Sequence, residues 1–266
     1  METENVKNNP VRNNNLIILV IIICLLVTYY TIMSIISPAR KLSEIERDIG
    51  DRQAENWAID ENIFHDSTYI KLLTDRALLM SRIAMAGTDS NYLTINLNDS
   101  TANIEISGVV VHMSKISRIQ ISKLLIKGNE NIIQSMLSSP LRITKDYSTI
   151  KKEPLMIKIA PKDTSEYKPD IMPDTSITEP VSFVLELANG IRFYLSQEED
   201  EKFSDVISLF IFDIKDRFRY LWRSLKSIIF LKVPEYQPLI KIRIPRADAK
   251  IIYRAIPQNG LVGISI

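Results

Sequence analysis

The chain has 266 residues, 45% of them hydrophobic and 24% charged, and its 33 basic side chains nearly balance 32 acidic ones. That balance excludes a global basic field for nucleic acid and leaves no acidic tail, so no nucleic-acid partner is expected. The single cysteine, Cys24, rules out a disulfide framework and a cysteine zinc site, and no metal or other cofactor is expected.

Residues 1–15, rich in asparagine and broken by Pro10, carry no hydrophobic period and read as a disordered N-terminal tail. Residues 16–37 form an uncharged aliphatic run that would extend roughly 33 Å as a helix, close to a bilayer core of about 30 Å. Such a run must pair its backbone internally in lipid, which predicts a single transmembrane helix with Tyr29 and Tyr30 near the headgroups and Pro38 as its stop. The apolar run is longer than a secretory h-region and lacks a small-residue cleavage pattern, which favours an uncleaved anchor over a signal peptide. Lys7 and Arg12 precede the run while Arg40, Lys41, Arg47 and Arg52 follow it. That asymmetry points inward, but long domains translocate largely regardless of charge, and the C-terminal domain is expected outside the cytoplasm.

Residues 38–66 read as a stalk, with Leu42, Ile45 and Ile49 at helical spacing towards Trp57. Residues 67–266 read as a soluble α+β domain. It opens with a helix capped by Ser67, whose Ile70, Leu73, Ala77, Met80 and Ala84 should face the core, and which stops at Gly87. Alternation from Tyr92 predicts a hairpin through an Asn98-Asp99-Ser100 turn to Val109, with Gly108 as a bulge. Leu124 to Ile126 fit strand or helix equally, 129–137 suggest a short helix, and Leu155 to Ile159 a strand. Residues 162–180, with three prolines and no apolar period, read as a linker that could divide the domain.

The strongest hairpin signal is Phe183 to Leu195 around Asn189-Gly190, a dipeptide suited to the positive φ angles of a tight turn. Glu198 to Glu201 then supply negative charge where a helix should begin. Phe203, Ile207, Phe210, Ile214, Phe218, Leu221, Leu225 and Ile228 recur at intervals of three and four, which predicts a long amphipathic helix over 203–231. Its stripe is expected in the core; a partner helix or an anionic membrane surface are the alternatives. Arg219, Trp222 and Arg223 are the candidate partner-contact residues. A strand at Leu239 to Ile244, a helix from about Arg246, a turn at Pro257 to Gly260 and a last strand complete the chain.

No catalytic constellation emerges. The two histidines, His65 and His112, lack a nucleophile context, and seven glycines form no phosphate-binding loop. Asp60 with Glu61, and Glu198 to Glu201, are adjacent acids of the kind that solvate a surface, whereas a working dyad needs one desolvated carboxyl. Ile95-Asn96-Leu97 followed by Ile104-Glu105-Ile106-Ser107-Gly108 resembles the opening strands of L,D-transpeptidase domains, which cross-link peptidoglycan through a cysteine in a His-Gly-Cys context. This chain's only cysteine lies in the apolar run, so the resemblance implies a non-catalytic relative and carries no site residue over. The sequence therefore predicts a non-enzymatic single-pass protein, held to lipid through residues 16–37, that acts as an interaction or scaffold component of a membrane or cell-envelope assembly with a protein partner or a second copy. The rival readings are an envelope enzyme using hydroxyl or carboxylate chemistry and a ligand module with a pocket between the hairpins and the long helix.

Overall fold

A computed structural model of the chain describes residues 10–53, 67–127, 137, 139–152, 179–199, 202–230 and 232–265. They belong to two compact units, Met1–Glu44 with Phe218–Tyr236, and Ile45–Arg217 with Gln237–Ile266. The architecture is α+β, with helices and a nine-stranded mixed sheet.

The first unit is built on helix α1 (Pro10–Gln53) as far as Glu44. Residues Leu16–Glu44 are long and apolar enough to cross a membrane, and none of their most apolar window is buried in protein. A helix that is apolar all round yet uncovered is not a core helix. Two expectations are corrected here. Residues 10–15, read as tail, open the helix, because a proline in the first position has no needed N–H to lose. Pro38, read as a stop, lies inside it. An interior proline costs about 3 kcal/mol by deleting one backbone bond, here the one Ser34 would accept, but the chain is helix-forming on both sides and passes through. The first half of the stalk thus continues α1 to Gln53, while Trp57 and the rest of 54–66 lie outside the described residues. One side of α1 is partly covered, through Tyr29, Tyr30, Met33, Ser37 and Lys41.

The second unit carries the sheet. Helix α2 (Ser67–Ala86) precedes β1 (Tyr92–Asn96), β2 (Thr101–Ile106), β3 (Val109–Lys115), β4 (Arg118–Ile121) and the short α3 (Lys123–Lys127). Next come β5 (Leu141–Ser148), β6 (Ser182–Leu187), β7 (Arg192–Gln197), α4 (Phe203–Ile229), β8 (Leu239–Ile244), α5 (Arg246–Ala255) and β9 (Leu261–Ser265). The strand order is β3-β2-β1-β9-β5-β6-β7-β8-β4. Neighbours are antiparallel except β1 with β9 and β7 with β8. The β7–β8 pair needs a crossover between parallel strands, and α4 lies within it.

Both predicted hairpins form. In the β6–β7 turn only Gly190 of the Asn-Gly pair takes a positive φ, 83°. The loop is therefore a three-residue turn, closed by the Gly190 N–H donating to the Leu187 carbonyl at 2.9 Å, and not the two-residue turn that needs both angles positive. Gly108 is a turn residue with Ser107 (φ 84° and 48°), and the sheet irregularity falls instead at Ile104/Glu105, so Val109 starts a new strand. Leu124 to Ile126 settle as helix. All of the predicted helix 129–137 except the buried Leu137, the strand 155–159 and most of the linker 162–180 lie outside the described residues. Strand β5 was not foreseen.

The main core takes Leu93, Ile95, Ile104, Phe183, Phe193 and Ile264 from the strands and Ala249, Ile252 and Tyr253 from α5. Helix α2 turns Ser81 and Met85 inward, whereas Met80 and Ala84 of the expected core face are exposed. The reason is a groove at Gly263, where an added Cβ would stand 2.7 Å from the Met85 Cε and 3.3 Å from the Ser81 Oγ. Arg82 fixes that rotation through Glu105, at 3.1 Å.

Candidate functional site

Helix α4 is amphipathic as expected, but its orientation on the sheet is the reverse of the expected one. Asp205 and Asp216, eleven residues and therefore about three turns apart, share one side of the helix. Both are buried. A buried carboxylate must be paired, and the partners come from the sheet unit. Arg192 of β7 donates to both oxygens of Asp216, at 2.5 and 2.7 Å. Arg246, opening α5, donates to Asp205 at 3.0 Å. Between them Phe212 packs on Tyr194, ring centroids 6.2 Å apart, in a small cluster with Val184.

With its acidic side held inward, α4 presents the hydrophobic stripe outward. Phe203 is 80% exposed, Phe210 62%, Phe218 64% and Trp222 62%, and Ile207, Ile211, Ile214 and Leu221 are exposed with them. The core expectation for this stripe is thus corrected. Arg192 and Arg246 decide which side faces the sheet, because burying two ion pairs leaves no route to turn the apolar side in.

From Phe218 onward α4 belongs to the α1 unit. There Ser224 and Ile228 are buried, and Phe218 stacks on Trp222 at 6.4 Å. Ser37 of α1, itself buried, donates its hydroxyl to the Pro234 carbonyl at 2.6 Å. Of the three candidate contact residues, Trp222 opens outward, and Arg219 and Arg223 are half-buried with interactions of their own.

The residue clusters that could have carried chemistry are otherwise arranged. His112 stands 3.2 Å from Asp248 without hydrogen-bond alignment, and Ser114 donates to the other oxygen of that carboxylate at 2.8 Å. The acid sits between histidine and serine, so the histidine is not placed to take the serine proton as a triad requires. Tyr253 donates to Asp146 at 3.2 Å and Lys152 pairs with the same oxygen at 2.9 Å. Burial, with the Asp146 charge adding to it, pushes the Tyr253 hydroxyl up to about 12, which keeps it a neutral donor. Burial likewise lowers Lys241, whose ammonium lies 4.5 Å from the Tyr194 ring centre.

Glu199 of the acidic run accepts from the Arg246 backbone N–H at 2.8 Å, satisfying the start of α5. Asp200, Glu201, Asp60, Glu61 and His65 lie outside the described residues. Among those described, no group of three or more metal-ligating side chains converges. A cleft of about 520 Å³, lined by Asn91, Tyr92, Arg142, Asn259 and Leu261 among others, contains no residue of α4.

Arg192 and Arg246 were missed in the sequence. The eleven-residue spacing of Asp205 and Asp216 opposite the stripe was the available signal, since two acids aligned along one helix face invite basic partners. Compared with known proteins, the chain matches no protein family, no curated protein and no solved structure.

Proposed function

We propose that this chain is a single-pass membrane protein, anchored through α1, that works as a non-enzymatic interaction or scaffold component of a membrane or cell-envelope assembly, with its sheet unit outside the cytoplasm. The observation that carries this reading is the reversed seating of α4. An apolar helix face of this extent on a monomer marks a contact surface, since isolated soluble proteins rarely leave contiguous patches beyond a few hundred Å². Two buried ion pairs hold that face outward, so it is a built feature of the fold.

The reading is tested on the full chain in its native membrane. Alkaline carbonate should leave it in the pellet, and protease added to sealed vesicles should reach the sheet unit only from the extracytoplasmic side. A photo-crosslinking residue at Phe210 should yield an adduct with a membrane component. Release by carbonate would overturn the anchor, and a Phe210 probe quenched only by water would overturn the contact role.

A further inference from the structure

We propose that the outward face of the C-terminal half of α4 lies on an anionic lipid surface, in the headgroup layer beside the point where α1 leaves the bilayer. This rests on the reading of α1 as a membrane span and names the partner of the surface assigned above.

Three observations within the α1 unit converge on it. The first is position. Ser37 closes the uncharged run of α1, just before Arg40 and Lys41, and its hydroxyl holds the Pro234 carbonyl at 2.6 Å. Pro234 follows the end of α4 at Ile229 by five residues, a reach of at most roughly 18 Å fully extended. The end of α4 is therefore tied to the level at which the apolar run of α1 gives way to charge, which is where a bilayer meets water.

The second is shape. Phe218, Leu221, Trp222, Leu225 and Ile229 are all exposed, between 39% and 66% of their surface. At 100° per residue they share one side of the helix. An interfacial helix buries such a side about 5–10 Å into the headgroup and acyl boundary, and tryptophan favours that depth.

The third is charge. Between Phe218 and Phe230 the chain places Arg219, Arg223 and Lys226 and not one acid. Arg219 and Lys226 fall along one border of the apolar side, where long stems can lie over apolar surface and carry the cationic ends to phosphates. A protein groove of mixed charge has no need for one sign throughout. An anionic leaflet does, and each cation near it strengthens residence at the surface roughly fivefold.

The test uses the full chain with Trp57→Phe, so that Trp222 is the only tryptophan, in nanodiscs of neutral phosphatidylcholine or of phosphatidylcholine with about one third phosphatidylglycerol. Lipids brominated on the acyl chain report the depth of the indole. Quenching of Trp222 should be clearly stronger in the anionic discs. Arg219→Glu with Lys226→Glu should weaken it several-fold without changing the far-ultraviolet spectrum, and high salt should do the same to the parent chain.

Equal quenching in neutral and anionic discs would overturn the assignment of anionic lipid. A Trp222 that stays unquenched in both, in a chain that co-elutes with the discs, would overturn the lipid surface altogether while leaving the anchor intact; a protein-protein adduct from a photoprobe at Trp222 in those discs would then point to a second copy. Failure to co-elute with either disc would instead remove the membrane span on which the inference rests.

Discussion

Helices α4 and α5 are both strongly amphipathic, yet they sit on the sheet unit in opposite senses. Helix α5 buries Ala249, Ile252 and Tyr253 in the main core and keeps its charged residues, Arg246, Asp248, Lys250 and Arg254, half-buried around that apolar face. Helix α4 buries Asp205 and Asp216 and leaves its aromatic and aliphatic side exposed. A hydrophobic stripe therefore defines a face without defining its direction. Direction follows from what the facing surface offers, which is aliphatic strand for α5 and two arginines for α4.

The sharpest way to break the contrast is to remove the ion pair that seats α4. Asp216→Ala leaves the buried Arg192 short of its bidentate acceptor and should cost about 3–5 kcal/mol, read as a large drop in denaturation midpoint. A smaller effect should come from Ile252→Ala, which opens a void under α5 at a fully buried position and should cost about 2–4 kcal/mol by the same measurement. Gly263→Ala probes the groove that sets the rotation of α2. The Met85 methyl can retreat, so a loss near the low end of about 1–3 kcal/mol is expected in chemical unfolding.

Tyr253 gives a pH signature on the α5 side. Its folded pKa of about 12 lies above the unfolded value near 10, so its contribution to stability is complete below about pH 10 and is lost as pH rises towards 12. Tyr253→Phe should flatten the stability profile in that window, and an unchanged slope would remove the assignment. The smallest effect belongs to the outward stripe. Phe210→Ala should change the stability of the detergent-solubilised chain by less than about 0.5 kcal/mol, while the same change at Ile252 is costly. A loss as large as that at Ile252 would show that α4 is a core helix after all.

Local chemistry made much of this fold legible. Asn189-Gly190 announced the β6–β7 turn, Ser67 and Gly87 bracketed α2 closely, and the alternation of Leu239 to Ile244 matched β8 residue for residue. Strand β5 escaped because its alternation is interrupted where the pairing with β6 shifts register between Ile143 and Lys145. The seating of α4 was not legible for another reason. The partners of Asp216 and Asp205 lie 24 and 41 residues away, and no single helix or strand contains both members of either pair. The Asp248 cluster shows the same limit, since Ser114 is 134 residues distant. Sequence could say that histidine, serine and acid were present but not that the acid would take the middle place.

Pro38 has one more consequence. Because it offers no N–H, the carbonyl of Ser34 loses its usual donor four residues on, and in hydrocarbon a carbonyl left unpaired costs several kcal/mol. For a helix placed in a bilayer this works as a depth gauge. The span can sink until Ser34 meets the last of the water and lipid headgroups, and any further sliding would drag an unsatisfied oxygen into oil. In the proposed membrane-spanning role of α1, the proline would mark the waterline, one residue from the Ser37 hydroxyl that holds the chain beyond α4.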